Sequence, residues 1–410
     1  VKVIMSSLHD NGIEMATLDV SSLSCPTGFE AAGLAVGLRK SGRRDLALFL
    51  CREGATAAGV FTRNVVRAAP VTISEDNLAK SRGKCRAVLI NSGMANACTG
   101  PEGYARAVRT IDRLASTLRC APEEILIAST GVIGMQMPDQ KMIEAYNPLL
   151  GATSSAGLVD AAAAILTTDT CEKFAQAHIT HNGRTARVVG VAKGSGMIHP
   201  NMATMLGVIM TDAAVESDDL ADMLRTATKR TFNRVSVDGD TSTNDCVFAL
   251  ASGAAGEFPR ELVAEAIERV SGELALQIVR DGEGAKKVVR VRVTDANTED
   301  DAEAVAKTVA SSLLVRTAIA GGDPNWGRIV AAIGRAGAPF DLERIEVFAG
   351  GEKLFLSGAP ADTPRDMLKK AFLGPDVDID IRLNTGGEQA EFLTCDLTEG
   401  YIRINADYTT

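Results

Sequence analysis

Several strand-length segments of this chain are apolar on both faces, and this limits the possible folds more than any other feature. "TARVVGVAKG" (Thr185–Gly194) and "TMLGVIM" (Thr204–Met210) do not alternate apolar with polar residues. Strands of that kind belong inside a layered structure, covered on both sides. "DLALFLC" (Asp45–Cys51), "AAGVFT" (Ala57–Thr62), "CRAVLIN" (Cys85–Asn91) and "EEILIAS" (Glu123–Ser129) read as further strands. Helix patterns lie between them. Ala105, Val108, Ile111, Leu114 or Ala115, and Leu118 recur on one face, and "SAGLVDAAAAILTTD" (Ser155–Asp169) reads as a helix capped by Ser154 or Ser155. The class is α/β. Aromatic residues are only 4% of the chain, so the core must be built from Ala, Val, Leu, Ile and Met.

The texture changes after about residue 285. In "KKVVRVRVTD" (Lys286–Asp295) Val289, Val291 and Val293 alternate with Arg290 and Arg292, so one face meets water. "RIEVFAGGEKLF" (Arg344–Phe355) predicts a hairpin turning at Gly350-Gly351, and "DVDIDIRL" (Asp376–Leu383) exposes Asp376, Asp378 and Asp380. A chain of 410 residues exceeds one ordinary core. The reading is a main layered α/β domain over residues 1–285 and a smaller α/β domain over 286–410.

Bulk properties exclude several functions. A formal charge of −9 repels nucleic acid and anionic membranes. No apolar run reaches the ~18 residues of a membrane span, and the first residues resemble neither a secretory signal nor a transit peptide, so a cytoplasmic location is expected. The eight cysteines form no C-x-x-C pair and read as reduced, mostly packed thiols, Cys98 included. His178 and His181 lack the further ligands of a zinc site, and "DGDTSTND" lacks the closing Glu of a calcium loop. No metal is expected.

The chemistry concentrates in turns. A glycine-broken loop (Lys193, Gly194, Ser195, Gly196) leads through His199 and Pro200 to Thr204 at the mouth of an apolar strand. "STGVIG" places Thr130 and Gly131 beyond another buried strand, where successive backbone N–H groups can hold an oxyanion. "RDGEGAKK" sets Glu283 between Gly282 and Gly284. No Ser/His/Asp arrangement stands out. A hydroxyl nucleophile can instead be activated by its own α-amine once it becomes N-terminal, since that amine has a pKa of ~7.7–8.0. This requires scission of the Ala203–Thr204 bond. Thr204 Oγ attacks the Ala203 carbonyl, the chain shifts from N to O, and water cleaves the ester.

At these residues the chain closely resembles the ornithine acetyltransferase (glutamate N-acetyltransferase) family of arginine biosynthesis. The resemblance is carried by "GVAKGSGMIHPNMATMLGVIMTDA" (Gly190–Ala213), "INSGMANACTG" (Ile90–Gly100), "ASTGVIG" (Ala128–Gly134), "ILTTDT" (Ile165–Thr170), "NRVSVDGDTSTND" (Asn233–Asp245), "VRDGEGAKK" (Val279–Lys287), "GGDPNWGRI" (Gly321–Ile329) and "YIRINADYTT" (Tyr401–Thr410), in family order. It implies a layered α-β-β-α sandwich of the N-terminal-nucleophile type with the smaller C-terminal α/β domain. The cleavage site would be Ala203 and Thr204, giving an α chain of 1–203 and a β chain of 204–410. Thr204 would be the nucleophile, and Thr130 and Gly131 the oxyanion pair. Substrate contacts would fall on Thr167 (with Thr168 and Thr170 beside it), Lys193, Thr204, Glu283, Asn405 and Thr410, the last two requiring a docked C-terminus.

The implied reaction moves acetyl from N-acetylornithine to glutamate by ping-pong exchange, with no metal or organic cofactor. Some members of the family also accept acetyl-CoA as a substrate. An α2β2 assembly is implied as well. "NSGMANACTG" can be a structural turn or a wall of the site, and "DPNWGRI" reads as a structural corner. The competing readings are a self-cleaving aminopeptidase or amidase that releases acyl groups to water, and an uncleaved, non-catalytic binding protein.

Overall fold

The computed structural model describes residues 12–16, 22–199 and 205–407. Ala203, Thr204 and Thr410 therefore lie outside the described residues. The chain is mixed α/β with two sheets and divides into two units. Of the described residues, the first takes those up to Asn233 together with Asp240–Ile278, and the second takes Arg234–Gly239 and those from Val279 to Asp407.

The strands in chain order are β1 (Ile13–Met15), β2 (Glu30–Leu34), β3 (Leu46–Phe61), β4 (Lys84–Met94), β5 (Ile125–Val132), β6 (Lys173–His181), β7 (Arg184–Lys193), β8 (Leu206–Ala214), β9 (Val235–Ser236), β10 (Cys246–Glu257), β11 (Val288–Ala296), β12 (Glu346–Ala349), β13 (Glu352–Leu356), β14 (Ala359–Pro360), β15 (Asp376–Arg382) and β16 (Glu388–Cys395).

In the first unit the described strands form a sheet in the order β1-β6-β7-β8-β10-β3-β4-β5, with β2 also paired to β3. It is buried on both faces, as strands without alternation require. Along β3, Ala47, Phe49 and Cys51 enter one core together with Leu158, Ala161 and Ile165 of the helix Leu158–Ile165. Leu46, Leu48 and Leu50 enter the opposite core with Ile111 and Leu114 of the helix Gly100–Leu118. The site-bearing strands are thus clamped between helices, and their ends have little freedom.

Two local readings change. "DLALFLC" and "AAGVFT" are parts of one long strand, β3, whose register against β4 shifts between Leu50 and Ala55. Gly54 at φ +91° lets the polar Arg52-Glu53-Gly54 step swing outward without ending the strand. Neither Ser154 nor Ser155 caps a long helix. Ser155–Gly157 is a 3-10 turn without a side-chain cap, and the α-helix ends at Ile165, leaving "LTTDT" as a loop.

The second unit has a seven-stranded sheet in the order β14-β13-β12-β15-β11-β16-β9. Val289, Val291 and Val293 of β11 pack with Val305 and Val309 of the helix Glu299–Ala310. On the other face Arg290 reaches Glu391 and Asp378, and Arg292 reaches Asp380, in a half-exposed ladder of opposite charges. The hairpin β12–β13 turns at Gly350-Gly351. Trp326 stacks on Phe355, with ring centroids 5.6 Å apart, at the start of the helix Trp326–Gly334.

Candidate active site

In the first unit three strand ends carry the predicted residues. Thr130 and Gly131 end β5, which runs parallel to β4 with Ser92 opposite Thr130 and Gly93 opposite Gly131. Gly131 has φ +126°, and a Cβ there would sit 2.3 Å from the carbonyl carbon of Gly93. Only glycine permits this backbone approach. Lys193 ends β7 and pairs with Leu206 of β8, two residues beyond Thr204 in sequence. Its Nζ donates to Thr130 Oγ1 at 3.3 Å. Thr130, Gly131 and Lys193 are therefore brought together in the first unit, and both Thr130 and Lys193 are buried.

The turn that holds Thr130 and Gly131 is buttressed by side chains that sequence reasoning did not single out. Ser129 Oγ donates to Asn91 Oδ1 (2.6 Å), and Asn91 Nδ2 donates to Met94 O (3.0 Å). Asn244 Nδ2 donates to Ser129 O (2.8 Å) and Ala95 O (2.6 Å). The "INSGMANACTG", "ASTGVIG" and "STND" segments thus interlock through buried amides. The usable signal was the presence of Asn and Ser in otherwise apolar surroundings, because such groups are buried only when satisfied.

Thr167 lies in the loop after the helix Leu158–Ile165. Its N–H donates to Asp169 Oδ2 (3.0 Å), and Asp169 Oδ1 accepts the Gly194 N–H (2.7 Å) and Lys173 Nζ (2.8 Å). One carboxylate therefore joins Thr167 to the residue after Lys193. Burial would raise the Asp169 carboxyl, but Lys193 and Lys173 outweigh it and hold the group well below the usual carboxylate range.

Asp245 behaves oppositely. It precedes Cys246, whose N–H donates to Met205 O, and its carboxyl is hydrogen-bonded by the Met205 backbone and by Ser242. Oδ2 has no hydrogen-bond partner among the described residues. Full burial pushes this carboxyl well above its ordinary value despite the charge of Lys193. Lys193 thus acts on two carboxyls that shift in opposite directions, Asp169 downward and Asp245 upward.

This state has a measurable consequence. An unfolded Asp releases its proton near pH ~3.9, whereas burial makes native Asp245 release it at a higher pH. Above that pH the unfolded chain binds fewer protons, so the Asp245 contribution to stability falls as pH rises. In single-chain Thr204→Ala protein, adding Asp245→Asn should flatten the dependence of the urea midpoint on pH as pH rises above the unfolded value of ~3.9. Parallel curves with and without the substitution would show that Asp245 is ionised in the native state.

Glu283 and Asn405 belong to the second unit. Glu283 is buried, and Asn405 Nδ2 donates to its Oε2 at 2.7 Å. The helix Glu399–Asp407 is seated on the same turn. Thr398 Oγ1 donates to Gly284 O (2.6 Å), and a Cβ on Gly284 would lie 2.2 Å from Tyr401 N. The start of this helix rests on the Gly284 turn and Asn405 ties it to Glu283, while residues 402–407 are exposed.

Cys98 departs from its reading. It is exposed, at φ 55°, rather than packed. The polar turn around it carries Cys98 outward while Ala95 and Ala97 face the core. Cys171 is also exposed, and five of the other six cysteines are buried. His178 Nε2 lies 2.6 Å from Gln176 Nε2. Among the described residues no helix is long and apolar enough to cross a membrane.

An "Arginine biosynthesis bifunctional protein ArgJ" of Nitratidesulfovibrio vulgaris is 48% identical over 388 residues, covering 93% of this chain and 98% of that relative. A solved protein of the same description from Bacillus halodurans is 39% identical and covers 49% of this chain and 98% of its own, with a TM-score of 0.48. A Mycobacterium tuberculosis ornithine acetyltransferase solved in complex with ornithine is 36% identical over 46% of this chain and 98% of its own, with a TM-score of 0.41. Structural neighbours also include an aminopeptidase from Ochrobactrum anthropi described as a variant of the Ntn hydrolase fold, at 12% identity over 64% of this chain and 88% of its own, with a TM-score of 0.38. The ArgJ family model matches residues 30–410. The chain belongs to the ArgJ family.

Proposed function

We propose that this chain transfers the acetyl group of N-acetylornithine to glutamate through an acetyl ester on Thr204, as a step of arginine biosynthesis. The reading is carried by the meeting of Thr130, Gly131 and Lys193 at the ends of β5 and β7, beside the strand that begins just after Thr204. Membership of the ArgJ family supports it.

The precursor first cleaves itself between Ala203 and Thr204, which frees the Thr204 α-amine. That amine takes the hydroxyl proton as Thr204 Oγ attacks the acetyl carbonyl. Thr130 and the Gly131 N–H stabilise the resulting oxyanion. The tetrahedral intermediate collapses with a proton passing to the leaving nitrogen, and ornithine departs. The glutamate amine then attacks the ester and leaves as N-acetylglutamate, returning the proton and restoring the free hydroxyl. Lys193, a compact point cation, holds a substrate carboxylate. Thr167, Glu283, Asn405 and Thr410 contact substrate, Glu283 through its ammonium or by tuning the Thr204 amine.

The Nitratidesulfovibrio relative is described as bifunctional, and the second activity carried over here is acetylation of glutamate from acetyl-CoA. The cleaved chains assemble as α2β2 in the cytoplasm, without a metal or organic cofactor.

The deciding experiment supplies purified protein with glutamate and either N-acetylornithine or acetyl-CoA and measures N-acetylglutamate. Formation of N-acetylglutamate with release of ornithine is expected. Release of acetate in its place would mark a hydrolase.

A further inference from the structure

We infer that Asp169 is a positioning residue for acetyl transfer. Held by Lys173, it sets the spacing between the Thr167 loop and the Lys193–Gly194 step, while Arg39 clamps the same loop. The inference rests on the functional reading above.

The geometry is specific. Asp169 and Lys173 have fully buried side chains and pair at 2.8 Å. A buried ion pair is not in itself stabilising, because apolar side chains of similar volume often do as well. What this carboxylate provides, and an apolar group could not, is an acceptor for two backbone N–H groups on distant segments. It takes Thr167 N–H on one oxygen and Gly194 N–H on the other. Lys173 Nζ also donates to Cys171 O at 3.2 Å, which closes the loop on itself. Arg39 Nη1 donates to Leu166 O at 2.7 Å, and its Nη2 donates to Thr167 O at 3.2 Å. Thr167 is thus held through both its N–H and its carbonyl. Lys193 precedes Gly194 directly, so Asp169 places the backbone from which the Lys193 ammonium reaches Thr130. Lys173 is the close counter-ion of Asp169, and the Lys193 ammonium adds to the field that holds this carboxylate ionised.

The test begins with the unaltered protein. Failure to transfer acetyl from N-acetylornithine to glutamate would count against the functional reading and not against the positioning role. Once transfer is established, two variants are compared on self-cleaved material. Asp169→Asn with Lys173→Met removes both charges together, so no buried charge is left unpaired. Arg39→Met removes the part-buried clamp and spares the ion pair.

The double variant should raise KM for N-acetylornithine and for glutamate at least about tenfold, the loss expected when a hydrogen bond to a charged group is no longer met. Its kcat should stay within about threefold of the unaltered value. Arg39→Met should raise KM in the same direction by a smaller factor, with Tm unchanged. If KM holds in both variants while only Tm falls, Asp169 is merely structural and the inference is overturned. If the double variant yields no folded protein, Arg39→Met decides: a raised KM supports positioning of the loop and an unchanged KM refutes it.

Discussion

Thr204→Ala should remain one polypeptide of about 43 kDa, where the unaltered protein should give two fragments of nearly equal size. Acetyl transfer should fall by at least about 10⁴-fold, the scale seen when the nucleophile of an acyl enzyme is removed. Both effects follow from one atom. In the proposed mechanism Thr204 Oγ opens the Ala203–Thr204 bond, and the same Oγ later carries acetate. Thr204→Ser keeps a hydroxyl, so it should cleave and retain part of the activity. Denaturing gels and N-terminal sequencing report the scission, and the mature β chain should begin Thr-Met-Leu-Gly. Mixing the unaltered protein with N-acetylornithine alone should release one equivalent of ornithine per site and leave a peptide heavier by one acetyl group. A Thr204→Ala protein that still cleaves, or still transfers, would end the mechanism.

The second large effect concerns the proposed oxyanion donors. Thr130→Val keeps the shape of a buried β-branched residue and deletes its hydroxyl. On cleaved protein kcat should drop about 100–1000-fold, with little change in KM, because the lost donor acts on charge that develops in the transition state. The substitution also leaves Lys193 Nζ without the Thr130 Oγ1 acceptor. Gly131→Ala should be harsher structurally, since its Cβ would collide with the Gly93 carbonyl and β5 would have to part from β4. Equal losses in kcat for the two variants, with Tm unchanged in both, would mean that the tight pairing at Gly131 is not needed. A Thr130→Val enzyme of normal kcat would remove Thr130 from the oxyanion site.

Much of the fold was legible because its signals are local. Strands without alternation pointed to a sheet covered on both faces, and Leu46 to Leu50 divide between two cores as that requires. Strict alternation in "DVDIDIRL" pointed to a half-exposed sheet, and Val377, Ile379 and Ile381 are buried there. The reading was weaker where local chemistry resembles a turn but pairing overrides it. Arg52-Glu53-Gly54 looks like a break between strands, yet the pairing with β4 resumes beyond it at Ala55 after a register shift, as a bulge in β3.

The site was legible in parts. Thr130, Gly131 and Lys193 were nameable from their glycine-rich turns and the family resemblance, and Glu283 and Asn405 from the same source. Asp169, Lys173 and Asp245 were not. Asp169 and Lys173 are four apart, a spacing that reads as a helix pair. In the structure they belong to a loop and to the strand after it, and their meaning lies in contacts with Gly194 and Thr167. Asp245 stands in an acidic, Ser- and Thr-rich stretch that looks solvated, and it is fully buried next to Met205.

By itself the order of amino acids determined the fold class, the family and the candidate nucleophile, because periodicity, turn chemistry and a run of motifs are written along the chain. Only the tertiary structure decided which carboxyls are charged and which side chains hold the others in place. A carboxyl's affinity for its proton depends on burial and on charges that arrive from distant segments: Lys193 and Lys173 pull Asp169 down, and desolvation pushes Asp245 up. Such distances exist only after β5, β7, β8 and β10 have been brought into one sheet.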